Sequence, residues 1–140
     1  MEREMAETEK KKEFLRSYLI AKSDVARLEE QLAELRMNKI SPSVINDGMP
    51  HGSTSGDLSA YAAQVDDLER KIMAARYRRI NRFQMVQEAI ESMEDEQSKK
   101  ILTLRYLRGM GWEAIAVVMG YTYRHTTKLH GIALKNFKMP

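Results

Sequence analysis

Two runs of apolar residues, each advancing in alternating steps of four and three, constrain this chain more than any other feature. The first is Phe14, Tyr18, Ala21, Val25, Leu28, Leu32 and Leu35; the second is Leu58, Tyr61, Val65, Leu68, Ile72 and Ala75. A helix of 3.6 residues per turn gathers such positions into one stripe, the seam of a coiled coil, and a lone helix would leave that stripe wet. Between the runs lies NKISPSVINDGMPHGSTSGD, whose two prolines and three glycines cannot continue a helix. We therefore expect a connecting loop at about 39–57 and an antiparallel helical hairpin in which each seam covers the other. Pairing between chains, as a homodimer through the hairpin, would satisfy the same pattern and stays open.

The remaining composition agrees with an all-α chain. Of 140 residues, 31% are charged and only 7% aromatic, which suits long solvated helices better than a sandwich or an α/β enzyme. Cysteine is absent, which excludes disulfides, a thiol nucleophile and a thiolate metal site. The N-terminal MEREMAETEKKKEF lacks the apolar core of a secretion signal. No apolar run approaches the roughly 18 residues that span a bilayer. A soluble protein of a reducing cytoplasm is expected.

Past Ala75 the seam is interrupted by Arg76, Arg78, Arg79 and Arg82, and the apolar positions shift to Ile80, Phe83, Val86, Ile90 and Met93. The helix is expected to continue to about Ser92 with a different face inward. Ser92 and Asp95 have the form of a capping box, which places the boundary between the hairpin, 1–93, and a terminal domain, 94–140. That domain reads as three short helices. One carries Ile101, Leu102, Leu104 and Leu107 and stops at Gly109 and Gly111; the second is WEAIAVVM, 112–119; the third follows Thr122 as its cap and runs to about Phe137.

Two short helices joined at a glycine make a helix-turn-helix pattern. Ala116 is small where the helices cross, Gly120 supplies the turn, and Ile115, Met119, Tyr121 and Leu129 supply the packed face, whereas Thr126 stands where a Val or Ile is usual. With those residues inward, the face bearing Tyr123, Arg124, Thr127 and Lys128 must turn out. Arg and Lys can donate to guanine, and Thr can hydrogen-bond a base or touch a thymine methyl, so these four are the expected base contacts. Thr122 and the free amides of the helix N-terminus, with His125, His130, Lys135 and Lys138, are placed on the DNA backbone. The charge pattern supports this: 114–140 holds Arg124, Lys128, Lys135 and Lys138 and no acid, while Glu88, Glu91, Glu94, Asp95 and Glu96 gather upstream.

The residues IAVVMGYTYRHTTKLHGIALKNF, with LTLRYLRGMGW before them, resemble region 4 of the sigma-70 factors, over about the last 45 residues. That resemblance implies that Tyr123, Arg124, Thr127 and Lys128 stand where such factors contact bases; their identities differ from those of a housekeeping factor, so the sequence read need not be the usual hexamer. The whole chain, including MPHGS and IESMEDE, is similar to the ArpU/RinA-like regulators of phages and prophages of Gram-positive bacteria. The likeness implies control of phage late genes with host RNA polymerase, in the cytoplasm of a bacterial host.

Competing readings use the same residues. A small terminase-like packaging component also joins a helix-turn-helix to an oligomerising helical part, and an interaction protein could bind polymerase without touching DNA. His51, His125 and His130 have no Cys or carboxylate at ligand spacing, so neither a metal nor another cofactor is expected. The Arg76–Arg82 cluster reads as a solvated face pairing with acids of the first helix, or as a second DNA contact. The ten methionines read as adaptable packing. No catalytic arrangement of Ser, His and acid is recognisable, and MPHGS lacks the strand-to-helix context of a phosphate loop, so an enzyme is not expected.

Overall fold

The structure, a computed structural model, describes residues 1–39 and 54–140, with side chains over 1–38 and 57–140. The chain is all-α. Helix α1 spans Glu2–Lys39, α2 Thr54–Glu91, α3 Glu96–Leu102, α4 Trp112–Met119 and α5 Tyr123–Asn136, and α3 runs on into a π-helical turn at Thr103–Leu107. Glu2 and Glu4 in α1 and Asp57 in α2 lie in first turns, where a carboxylate meets the positive end of the helix dipole. Helix α2 begins at Thr54, inside the stretch expected as loop; the rest of that loop, with Pro42, MPHGS and His51, lies outside the described residues.

The described chain divides into two compact units, Lys22–Arg78 and Met1–Ala21 with Arg79–Pro140. Within Lys22–Arg78 the two helices run antiparallel, since Glu29 meets Arg76 at 2.9 Å and Arg36 meets Glu69 at 2.8 Å. Val25, Leu32, Ile72 and Ala75 are buried in this unit, and Leu28, Leu35, Tyr61, Val65 and Leu68 are half-buried. Leu58, at the start of the second seam, is exposed. The ion pairs are solvated and each contributes about 0–1 kcal/mol, so the apolar stripe carries this unit. Arg76 is thus engaged with an acid of α1, as the solvated-face reading requires.

The other unit overturns the expected division at 93/94. Its core joins Leu15 of α1 and Val86, Ala89, Ile90 and Met93 of α2 to Ile101, Leu102, Tyr106, Ile115, Ala133, Leu134 and Phe137. Helices of seven and eight residues such as α3 and α4 cannot close a core by themselves, and the first 21 residues and the end of α2 complete it. Phe14 stacks on Phe137 at 6.1 Å between ring centres, and Tyr18 meets Phe83 edge-on at 5.1 Å. Ile80, expected on the inward face, is exposed.

The capping box also moves. Ser92 Oγ donates to the Ala89 carbonyl at 2.7 Å and so belongs to the last turn of α2. Asp95, with extended backbone, is the cap of α3: its carboxylate accepts from the Ser98 amide at 3.1 Å and the Ser98 hydroxyl at 2.6 Å.

One polar contact ties α1 to the end of α5. The Lys11 ammonium donates to the Leu134 carbonyl at 2.9 Å and to that of Lys135 at 3.4 Å, in a side chain only 9% exposed. These carbonyls belong to the last turn of α5, where helical acceptors have no partner within the helix and negative charge accumulates. Lys11→Met should destabilise the fold by about 1.5–3 kcal/mol, the range for a hydrogen bond to a charged group, whereas the exposed Lys10→Met should stay within about 0.5 kcal/mol. Urea unfolding followed by circular dichroism measures both.

Candidate nucleic-acid interface

The turn between α4 and α5 is built from local chemistry. Gly120 takes φ +74°, its amide donates to the Val117 carbonyl at 3.2 Å, and the Tyr121 amide donates to the Ala116 carbonyl at 3.0 Å. Such a left-handed closure satisfies the last carbonyls of α4 and favours a residue without Cβ. Thr122 then caps α5, its Oγ1 accepting from the His125 amide at 3.1 Å. Both helix bounds and both special residues of the turn fall where the sequence pattern placed them.

Inside the angle of the two helices, Ile115 and Ala116 are buried, and Met119 and Leu129 pack partly buried against the core. Thr126 is fully buried, and its hydroxyl donates to the Thr122 carbonyl at 2.8 Å. The hydroxyl that seemed to depart from the pattern is therefore satisfied by its own helix. Tyr121 corrects the sequence reading: it lies at the surface, its hydroxyl accepting from Gln97 Nε2 at 2.7 Å and its ring edge-on to His125 at 4.7 Å.

With Thr126, Ala133, Leu134 and Phe137 inward, the opposite side of α5 presents Arg124, Lys128 and Lys135 to solvent. Tyr123, at the first turn, is also exposed. Thr127 is half-buried and its hydroxyl donates to the Arg124 carbonyl at 2.9 Å. With its proton committed, Thr127 can still accept a hydrogen bond, so toward a base edge it suits the amino groups of adenine or cytosine. Arg124 and Lys128 make no ion pair among the described residues. Thr122, His125, Lys135 and Lys138 are exposed as well.

His130 does not join them. Its Nε2 is 2.8 Å from the Tyr106 hydroxyl, and its ring lies 4.4 Å from Trp112 and 5.7 Å from Tyr106. Burial, reinforced by Lys12, Arg105 and Arg16, pushes its pKa from 6.5 down to about 4. A neutral, packed imidazole is a wall of the site rather than a cation for a phosphate. Burial likewise raises the Tyr106 phenol, against the opposing effect of Arg16 and Arg105 and with a further rise from Glu9. The Arg105 guanidinium lies 4.4 Å over the Trp112 ring and donates to the Met110 carbonyl at 3.1 Å. Nothing in the sequence periodicity isolates this cluster, although the chain's one tryptophan sits in it.

No family model, no curated protein and no solved structure matches the chain. Among the described residues no group of three or more His, Cys, Asp or Glu is placed to hold a metal ion, and no helix is long and apolar enough to cross a membrane.

The depressed His130 pKa makes stability depend on pH. The unfolded imidazole takes up a proton near 6.5 and the folded one only near 4. Between these values the unfolded state binds more protons, so the contribution is complete above about 6.5 and is lost as pH falls toward 4. Asp95 is held below its ordinary 3.8, chiefly by its bond to Ser98, so its own loss comes lower on the pH scale. His130→Gln should flatten the fall in melting temperature between pH 6.5 and 4, as read by thermal unfolding at matched ionic strength.

Proposed function

We propose that the protein is a sequence-specific double-stranded DNA-binding transcription regulator that inserts α5 into a major groove. The observation that carries this reading is the outward face of α5, where Arg124 and Lys128 project unpaired from a helix whose opposite side is locked in the core. From 114 to the C-terminus the chain has four cations and no acid, so nothing on this segment opposes a polyanion. Arg124 and Lys128 are one turn apart, which lets both reach base edges along one groove, with Tyr123 and Thr127 beside them. Thr122, His125, Lys135 and Lys138 lie where phosphates would pass, and the first amides of α5 add donors at its N-terminus.

The resemblance of the last 45 residues to sigma region 4, and of the chain to ArpU/RinA-like regulators, extends the reading to phage late genes. On that reading the protein works with host RNA polymerase in the cytoplasm of a bacterial cell. The test begins with selection of duplexes from a random-sequence pool by the full chain. Arg124→Ala with Lys128→Ala should remove most of the preference for the selected duplex, about 1–3 kcal/mol for each base no longer read, and leave a weaker, salt-dependent binding. A double variant that keeps the parent's preference would show that another face reads the bases.

A further inference from the structure

We propose that Lys12 and Arg16 of α1, with Arg105 of the π-helical turn, form a second cationic strip that grips the phosphate backbone beside the groove entered by α5. The inference rests on the DNA-binding reading above and assigns residues that neither the turn pattern nor the resemblance singles out.

The geometry comes from what α1 does with its neighbouring positions. Lys11 reaches the Leu134 carbonyl at 2.9 Å, Leu15 is fully buried in the core, and Leu19 lies 3.6 Å from where a Cβ on Gly109 would stand. These three positions hold α1 against α5 and against the loop that follows the π-helical turn. Lys12 and Arg16 each come one residue, or about 100°, further round the helix, and they are i, i+4 neighbours on one shoulder. Lys12 keeps 27% of its side chain exposed, and Arg16 is exposed. Arg105 arrives from a different element, stacked on Trp112, which in turn lies against His130.

The electrostatics agree with that placement. After burial, the groups that depress His130 are Lys12, Arg105 and Arg16, so all three act on the charge of one imidazole on α5. His130 shares its side of α5 with Thr127, one turn earlier, so the strip borders the flank of the base-reading face. Acids of α1 border the strip: Glu9 pairs with Lys12 at 3.5 Å, an exposed contact within a single helix that a phosphate can replace, and Glu13, three residues before Arg16, is exposed and makes no ion pair among the described residues. Arg16 and Arg105 make no ion pair among the described residues. Uncompensated cations on two elements, converging beside a third that reads bases, suit the evenly spaced charge of a duplex backbone.

The test titrates two fluorescently labelled duplexes, the one selected by the parent from a random pool and a scrambled version, over about 50–200 mM salt. The proteins are the full-length parent, Lys12→Ala with Arg16→Ala, and Arg124→Ala with Lys128→Ala, each checked for helicity and melting temperature. The Lys12/Arg16 variant should bind both duplexes more weakly by a common factor on the order of tenfold. Its slope of log affinity against log salt should be smaller by about 2, with the ratio between duplexes unchanged. Should the alanine pair lower the melting temperature, Lys12→Gln with Arg16→Gln keeps the stems and must give the same slope. Parent-like affinity and slope in the Lys12/Arg16 variant, while the Arg124/Lys128 variant loses selectivity, overturns the strip and leaves the DNA reading intact. A loss confined to the selected duplex also overturns it, because these side chains would then be reading bases. A parent that enriches no duplex from the pool and binds none even at about 50 mM salt refutes the DNA-binding reading and the strip together.

Discussion

Lys11 is nine-tenths buried with its ammonium on the Leu134 carbonyl, and that contact fixes the C-terminal end of α5. Close packing of Thr126, Ala133, Leu134 and Phe137 in the core sets which side of α5 faces in and leaves freedom chiefly at the helix ends. A charged donor on the last turn of α5 removes that freedom at one end, and Phe137 stacking on Phe14 fixes the chain immediately after it. At the other end, the Gly120 turn and the Thr122 cap fix where α5 begins. With both ends held, the roll of the helix is set, and with it the direction in which Arg124 and Lys128 project.

The shared apolar core explains why the chain does not divide between a hairpin and a head. The three short helices enclose too little apolar surface to stand by themselves, so Leu15, Val86 and Ile90 supply the centre of their core. A long helix that enters a small core must leave one shoulder outside it. On α1 that shoulder carries Lys12 and Arg16, so the packing that stabilises the unit also brings cations from a distant part of the sequence to the flank of α5.

Polar groups inside the unit are satisfied at short range. Thr126 bonds within its own helix, the buried Ser98 hydroxyl donates to the Asp95 carboxylate at the surface, and Tyr106 and His130 satisfy one another beside Trp112. Each such group would be costly in an apolar interior without its partner. Paired, they form rigid walls that support the proposed base-reading face of α5.

The sequence by itself determined the helical class, the bounds of α4, the start of α5 and the outward face of α5, while Ile80 and Tyr121 face otherwise than expected. The three-four spacing of the seams, the glycine at position 120 and the threonine at 122 act within a few residues, and local chemistry suffices to set a stripe, a turn and a cap. The outward face of α5 was legible for the same reason, since burying Ile115 and Leu129 leaves few directions for Arg124 and Lys128. Only the tertiary structure decided which residues share a core, that Lys11 closes the end of α5, and that His130 is a neutral wall rather than a phosphate contact. It also decided that Ser92 yields the cap of α3 to Asp95, and that Tyr121 sits at the surface on Gln97. These outcomes depend on partners that come, for most of them, from elements far apart in the chain, and periodicity carries no information about which face of one helix meets which end of another.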